Sequence, residues 1–216
     1  MRPDLPLLER FNYLGIYSNN LDEFFRVRVA SLRRLIDSAE ELPSAERKKA
    51  KETLRTILRL NREYSQLFDE TFAQLVRELK DAHIHIINER ELTSSQEEEV
   101  LSFFMDKING FTNPIFINSP TFNPEQHLKE SLYLAVVLWH DQEEPETGHE
   151  VALLEVPVRE LGRFFRLRDK DGESYLMFLD DVIRYCLPYI FIGREYVQYE
   201  AYTFKFTKDA EFEIEQ

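Results

Sequence analysis

The chain has 216 residues, 43% hydrophobic and 31% charged, the balance of an ordinary globular protein with room for one or two domains. A formal net charge of −13 argues against nonspecific nucleic-acid binding, and a single cysteine, Cys186, excludes an intramolecular disulfide and a cysteine-based zinc site. The lone cysteine and the lack of an apolar leader behind Met1-Arg2-Pro3-Asp4 fit a cytoplasmic protein, and no apolar run is long enough for an integral membrane span.

The charge is uneven. Residues 1–62 hold 13 Lys and Arg against 9 Asp and Glu, whereas residues 63–216 hold 14 against 31. A basic front in an acidic chain can face a polyanion or form a solvated helix face.

Residues 5–110 read as helical. Pro6 suits a first turn, and Leu7, Leu8, Phe11, Leu14 and Ile16 follow. Ser18-Asn19-Asn20, with Glu23 three residues after Asn20, predicts a new cap and a second helix carrying Leu21, Phe24, Phe25, Leu32, Leu35 and Ile36. Leu42-Pro43-Ser44 breaks it, with Ser44 as cap of a long helix over about 45–80. Leu54, Ile57, Leu58, Leu67, Phe68, Phe72, Leu75, Val76 and Leu79 mark one buried stripe there, which calls for helical partners in a bundle. His83–Ile87 reads as extended. Thr93, Ser94 or Ser95 then caps a helix to about 108, ending at Asn109-Gly110.

Three prolines make 111–126 a connection. Strands are predicted at Leu132–His140, Val151–Val158, Tyr175–Leu179 and Tyr196–Thr207, with an acidic hairpin loop at Gln142–His149. Asp180–Phe191 predicts a helix with Pro188 late in it or ending it. The expected fold is therefore α+β: a helical N-terminal domain over 1–110, then a mixed domain over 111–216 with a largely antiparallel sheet.

Chemistry-bearing motifs are scarce. No G-x-x-x-x-G-K-[ST], G-x-G-x-x-G or G-x-S-x-G occurs. Cys186 lies in an apolar helical context and reads as a core thiol. His83 and His85 share one strand face but lack a third metal ligand nearby; His140 and His149 flank the acidic loop and read as exposed. Neither a catalytic residue nor a metal site is expected within the chain.

One segment carries more. Pro6–Ala30, PLLERFNYLGIYSNNLDEFFRVRVA, closely resembles the start of the bacterial polyphosphate kinase family, with S-N-N-L-D-E-F-F intact. Agreement continues through Ile87–Leu92, Asn113–Asn118, Leu153–Pro157 and Thr203–Ile214, with Lys205 and Lys208 where arginines are common in the family. The resemblance implies a helical N-terminal domain followed by the first part of a head (middle) domain, incomplete at its C-terminus. It implies reversible transfer of the terminal phosphoryl group of ATP onto polyphosphate, through a phosphorylated histidine and magnesium held by C-terminal domains beyond these residues. Partners would be ATP or ADP and inorganic polyphosphate, with a homo-oligomeric, cytoplasmic enzyme peripheral to the inner membrane. It places one ligand contact here: Asn20 against the ATP adenine, where an amide matches the donor and acceptor of the adenine edge. On the residues alone, Asn20 reads first as a helix cap; the resemblance turns the reading toward ligand contact. The family's W-L-x-F-N-x-R helix is missing ahead of Pro6 and the chain stops inside the head domain, so it reads as a fragment, expected to transfer no phosphoryl group without the C-terminal machinery. The alternative is a stand-alone nucleotide- or polyphosphate-binding or dimerisation module, using Asn20 and Arg26, Arg28, Arg33 and Arg34.

Overall fold

The computed structural model describes residues 4–37, 43–140 and 149–209. These divide into two compact units, residues 4–82 with 207–209, and residues 83–206. Of the hairpin loop expected over Gln142–His149, residues 142–148 lie outside the described residues, and His149 opens a strand.

In the first unit, helix α1 (Leu7–Glu23) passes without a break into a π-helical stretch (Phe24–Val29) and then into α2 (Ala30–Asp37). The cap expected at Ser18–Asn20 is thus not formed. The reason is tertiary. Phe11, Leu14, Ser18, Leu21, Phe25, Val29, Leu32 and Ile36, buried or half-buried, recur every three or four residues straight through the cluster. Packing on one face outweighs local cap chemistry.

Helix α3 (Ser44–Asp81) runs 38 residues, about 57 Å. Its N-cap is Pro43 and not Ser44. Its inward stripe is Ala50, Leu54, Ile57, Asn61, Phe68, Phe72, Leu75 and Leu79. Leu58 and Leu67, expected on that stripe, are exposed. The two rods run antiparallel: Arg10 meets Glu78, the Phe11 ring lies edge-on to Phe72, and Tyr17 stacks on Phe68 at 6.0 Å. Arg10 is buried, and its guanidinium spans both carboxylate oxygens of Glu78, which also accepts from Gln74. These hydrogen bonds hold the Glu78 carboxyl below its usual range.

The second unit opens with β1 (Ile84–Ile87) and α4 (Ser94–Phe103). Of the three caps the sequence offers, Thr93 is the one used, and with Gln96 it closes a capping box. A π-helical stretch (Phe104–Ile108) extends α4. Strands β2 (Ile115–Phe116), β3 (Ser131–Trp139), β4 (His149–Val156) and β7 (Gln198–Phe206) form an antiparallel sheet ordered β2-β4-β3-β7. A smaller sheet, ordered β1-β6-β5, joins β5 (Phe164–Arg166) and β6 (Ser174–Phe178), with β1 and β6 parallel. Short helices α5 (Pro124–His127) and α6 (Val158–Leu161) occupy connections.

The helix expected over 180–191 divides. Helix α7 (Leu179–Tyr185) ends at Cys186, and α8 (Leu187–Ile190) restarts with Pro188 in its first turn, where a missing N–H costs nothing. Alternate residues of β3 and β4, including Leu134, Val136, Leu138, Ala152, Leu154 and Val156, share a core with Val100, Phe104, Ile108, Val182 and Ile183. On the other face, Leu128, Tyr133 and Leu153 make a smaller cluster.

Candidate functional site

Asn20 lies mid-helix on the outward face of α1. The helix supplies its neighbours. Residues 13, 16, 17, 20 and 24 fall at spacings of three and four, so they form one stripe. That stripe is Tyr13, Ile16, Tyr17, Asn20 and Phe24, in which the apolar side chains stay 53%, 53%, 37% and 39% exposed. Among the described residues, no hydrogen bond reaches the Asn20 side chain. A small hollow of about 130 Å³ lies between α1 and α3, lined by Tyr17, Ser18, Leu21, Ser65, Phe68 and Asp69. An open carboxamide among aromatic and aliphatic side chains can read a planar heterocycle by hydrogen bonds at its edge and apolar contact at its face. The cap role for Asn20 is removed by the unbroken helix.

The basic stretch ahead of α3 is partly engaged. Arg34 is ion-paired to Asp209 and donates to the Ser31 hydroxyl at 3.1 Å; Arg26 sits 3.7 Å from Glu23. Arg28 and Arg33 are exposed.

The second unit contains a buried charge cluster that sequence reasoning missed. Asp180, in the first turn of α7, is 5% exposed. It is ion-paired to Arg163 and accepts from Thr203 Oγ1 at 2.6 Å. Burial pushes its carboxyl up, but the Arg163 and Thr203 hydrogen bonds outweigh this and hold it below the usual range. Its neighbour Asp181 is ion-paired to Arg184, yet burial and the adjacent Asp180 charge push its carboxyl up to about 6. Arg184 also donates to Thr203 Oγ1 at 3.0 Å and lies 3.7 Å from Glu89. Two segments of the family resemblance, the ones holding Glu89 and Thr203, therefore meet at one guanidinium. The available signal was Asp180-Asp181 and Arg184 set among Leu179, Val182 and Ile183, charges on an otherwise core-facing helix.

The remaining candidates are structural. His83 Nδ1 and His85 Nε2 lie 2.8 and 2.5 Å from the two oxygens of Glu173, whose carboxyl they hold below its usual range. Cys186 is fully buried, and burial pushes its thiol up to about 12. His140 is exposed, its Nδ1 3.2 Å from the Glu195 carbonyl oxygen and its Nε2 3.5 Å from Glu150; His149 is exposed too. Among the described residues no group of three or more His, Cys, Asp or Glu is placed to hold a metal ion, and no helix is long and apolar enough to cross a membrane.

The chain thus joins a helical unit to an α+β unit that carries two small sheets. Residues 1–87 match the family model for the polyphosphate kinase N-terminal domain, and residues 95–216 match that for the polyphosphate kinase middle domain. The chain belongs to the polyphosphate kinase family. It is 36% identical to the polyphosphate kinase of Escherichia coli K12 and 33% identical to that of Vibrio parahaemolyticus, in each case over 97% of this chain and 30% of the relative. The crystal structure of polyphosphate kinase from Porphyromonas gingivalis matches with a TM-score of 0.77 at 27% identity, over 96% of this chain and 30% of that one. The chain thus spans about a third of the length of these relatives.

Proposed function

We propose that this chain supplies the adenine contact and the N-terminal and middle domains of an enzyme that moves the terminal phosphoryl group of ATP reversibly onto inorganic polyphosphate. Family membership supports the reaction class, and the open Asn20 amide in an apolar, aromatic stripe supports the contact. In this reading Asn20 donates to and accepts from the adenine edge, while Tyr17 and Phe24 offer apolar surface to its face. Magnesium and the phosphohistidine belong to residues outside these 216. The chain alone transfers no phosphoryl group, because such catalysis needs a nucleophile, cationic clamps and a metal held together. The complete enzyme is cytoplasmic and homo-oligomeric.

The test is Asn20→Ala in an enzyme carrying the full set of domains. Losing two amide hydrogen bonds to adenine should raise the KM for ATP roughly tenfold with little change in kcat. Unchanged ATP kinetics would remove Asn20 from the site, and phosphoryl transfer by the 216-residue chain alone would refute the division of labour.

A further inference from the structure

Helix α3 is charged in two halves. Ser44–Arg62 holds seven Lys and Arg against two Glu, whereas 63–81 holds two against five Asp and Glu. Cations at a helix N-terminus oppose the macrodipole, and like charges four residues apart repel. Arg47, Lys51, Arg55 and Arg59 stand at that four-residue spacing. The arrangement therefore works against the helix that carries it, which is the kind of local conflict expected where a ligand completes the balance.

The geometry makes the cations a track. Lys48, Lys51, Arg55, Arg59 and Arg62 follow one another at steps of three and four, so they lie along one face over about 21 Å. All five are exposed. Arg59 is paired with Glu63 at 2.7 Å, while Lys48, Lys51, Arg55 and Arg62 have no ion pair among the described residues. At the start of the track a groove of about 300 Å³ is lined by Ser44, Arg47, Lys48, Lys51, Glu52 and Arg55. Arg47 brings to it a buried Nε with no hydrogen-bond partner among the described residues. Cations along one line suit a ligand with charge repeated along its length, more than a compact anion.

We propose that the first half of α3, centred on Arg47, Lys48, Lys51 and Arg55, is a docking track for inorganic polyphosphate. The proposal rests on the reading above that the protein handles ATP and polyphosphate. With the chain at net charge −13 overall, this half-helix stands out as a run of seven cations against two acids.

The test is a salt titration of long-chain inorganic polyphosphate against the full chain and its K48Q/K51Q/R55Q variant. Glutamine keeps helix propensity, so circular dichroism should match wild type. The variant should bind about tenfold or more weakly, and its log–log salt slope should be shallower by about two, from three fewer phosphate contacts. The charge-conserving K48R/K51R/R55K variant should retain both affinity and slope. Equal affinity and slope in wild type and the glutamine variant would overturn the assignment. So would equal affinity of the wild type for a single-stranded RNA of similar charge, which would mark a general polyanion surface. ATP titrated in parallel separates this idea from the one it rests on. ATP binding without polyphosphate binding at low salt refutes the track alone; polyphosphate binding without ATP binding refutes the adenine site and leaves the track standing.

Discussion

At Asp181 two opposing demands fall on one carboxylate. Arg184 favours its charge, but burial and the charge on Asp180 disfavour it more and push the carboxyl up from its ordinary 3.8 to about 6. The native state therefore holds a proton between about pH 4 and 6 that the unfolded chain has released, so this residue's contribution to stability falls as pH rises through that window. Asp181→Asn keeps the shape and cannot ionise. Relative to wild type, the variant should gain on the order of 2 to 3 kcal/mol as pH is raised from 4 to 7, then plateau, as read by urea unfolding at several pH values. A stability difference that does not change with pH would show that Asp181 titrates normally. None of this is legible from Asp180-Asp181 as letters, because adjacent acids look like any solvated pair in an acidic chain. Only the fold brings Arg163, Thr203 and Glu89 from distant sequence to decide their charge.

At the level of elements, the rods of the first unit show what periodicity can and cannot say. Leu67 and Leu75 both look like core leucines on α3, yet Leu75 is 1% exposed and Leu67 is 56% exposed. Leu75→Ala should cost about 2 to 5 kcal/mol and lower the melting temperature, whereas Leu67→Ala should stay within about 0.5 kcal/mol. Equal effects would mean that the inward face of α3 is wrongly placed. The cap expected at Thr93, Ser94 or Ser95 falls on Thr93, which Gln96 meets three residues on. Ser18-Asn19-Asn20 offered a similar local signal, but the stripe from Phe11 to Ile36 continues through it with Ser18 in a packed position. Where local and periodic signals disagree, burial of the longer stripe decides. Strand β5 was missed because three residues, Phe164–Arg166, carry too short a pattern to register.

For the whole molecule, the α+β order of helices before strands was legible from composition and pattern. The parallel pairing of β1 with β6 was not, since nothing local links Ile84–Ile87 to Ser174–Met177. The proposed adenine contact at Asn20 came from resemblance, and the exposure of its surrounding stripe only from the fold. The two units differ in how much each buries. The second has an extensive core of fully buried residues, whereas the first buries Arg10, Val29, Ala50, Leu75 and Leu79 among its described residues. Amide hydrogens of β3 and β4 should therefore exchange slowest, and those of α1 and α2 faster by orders of magnitude, as native-state hydrogen exchange would show. Uniform protection across the chain would contradict this. The π-helical stretch at Phe24–Val29 has a further consequence, one of phase. Each N–H there reaches back five residues and not four, so the stretch absorbs one extra residue without ending the helix. Carried in an ordinary α-helix, the same extra residue would turn α2 by about 100° against α1. The stripe that holds Asn20 and the arginine that grips Asp209 would then point along a different pair of bearings. The stretch acts as the spacer that sets the angular timing between two ends of a single rod.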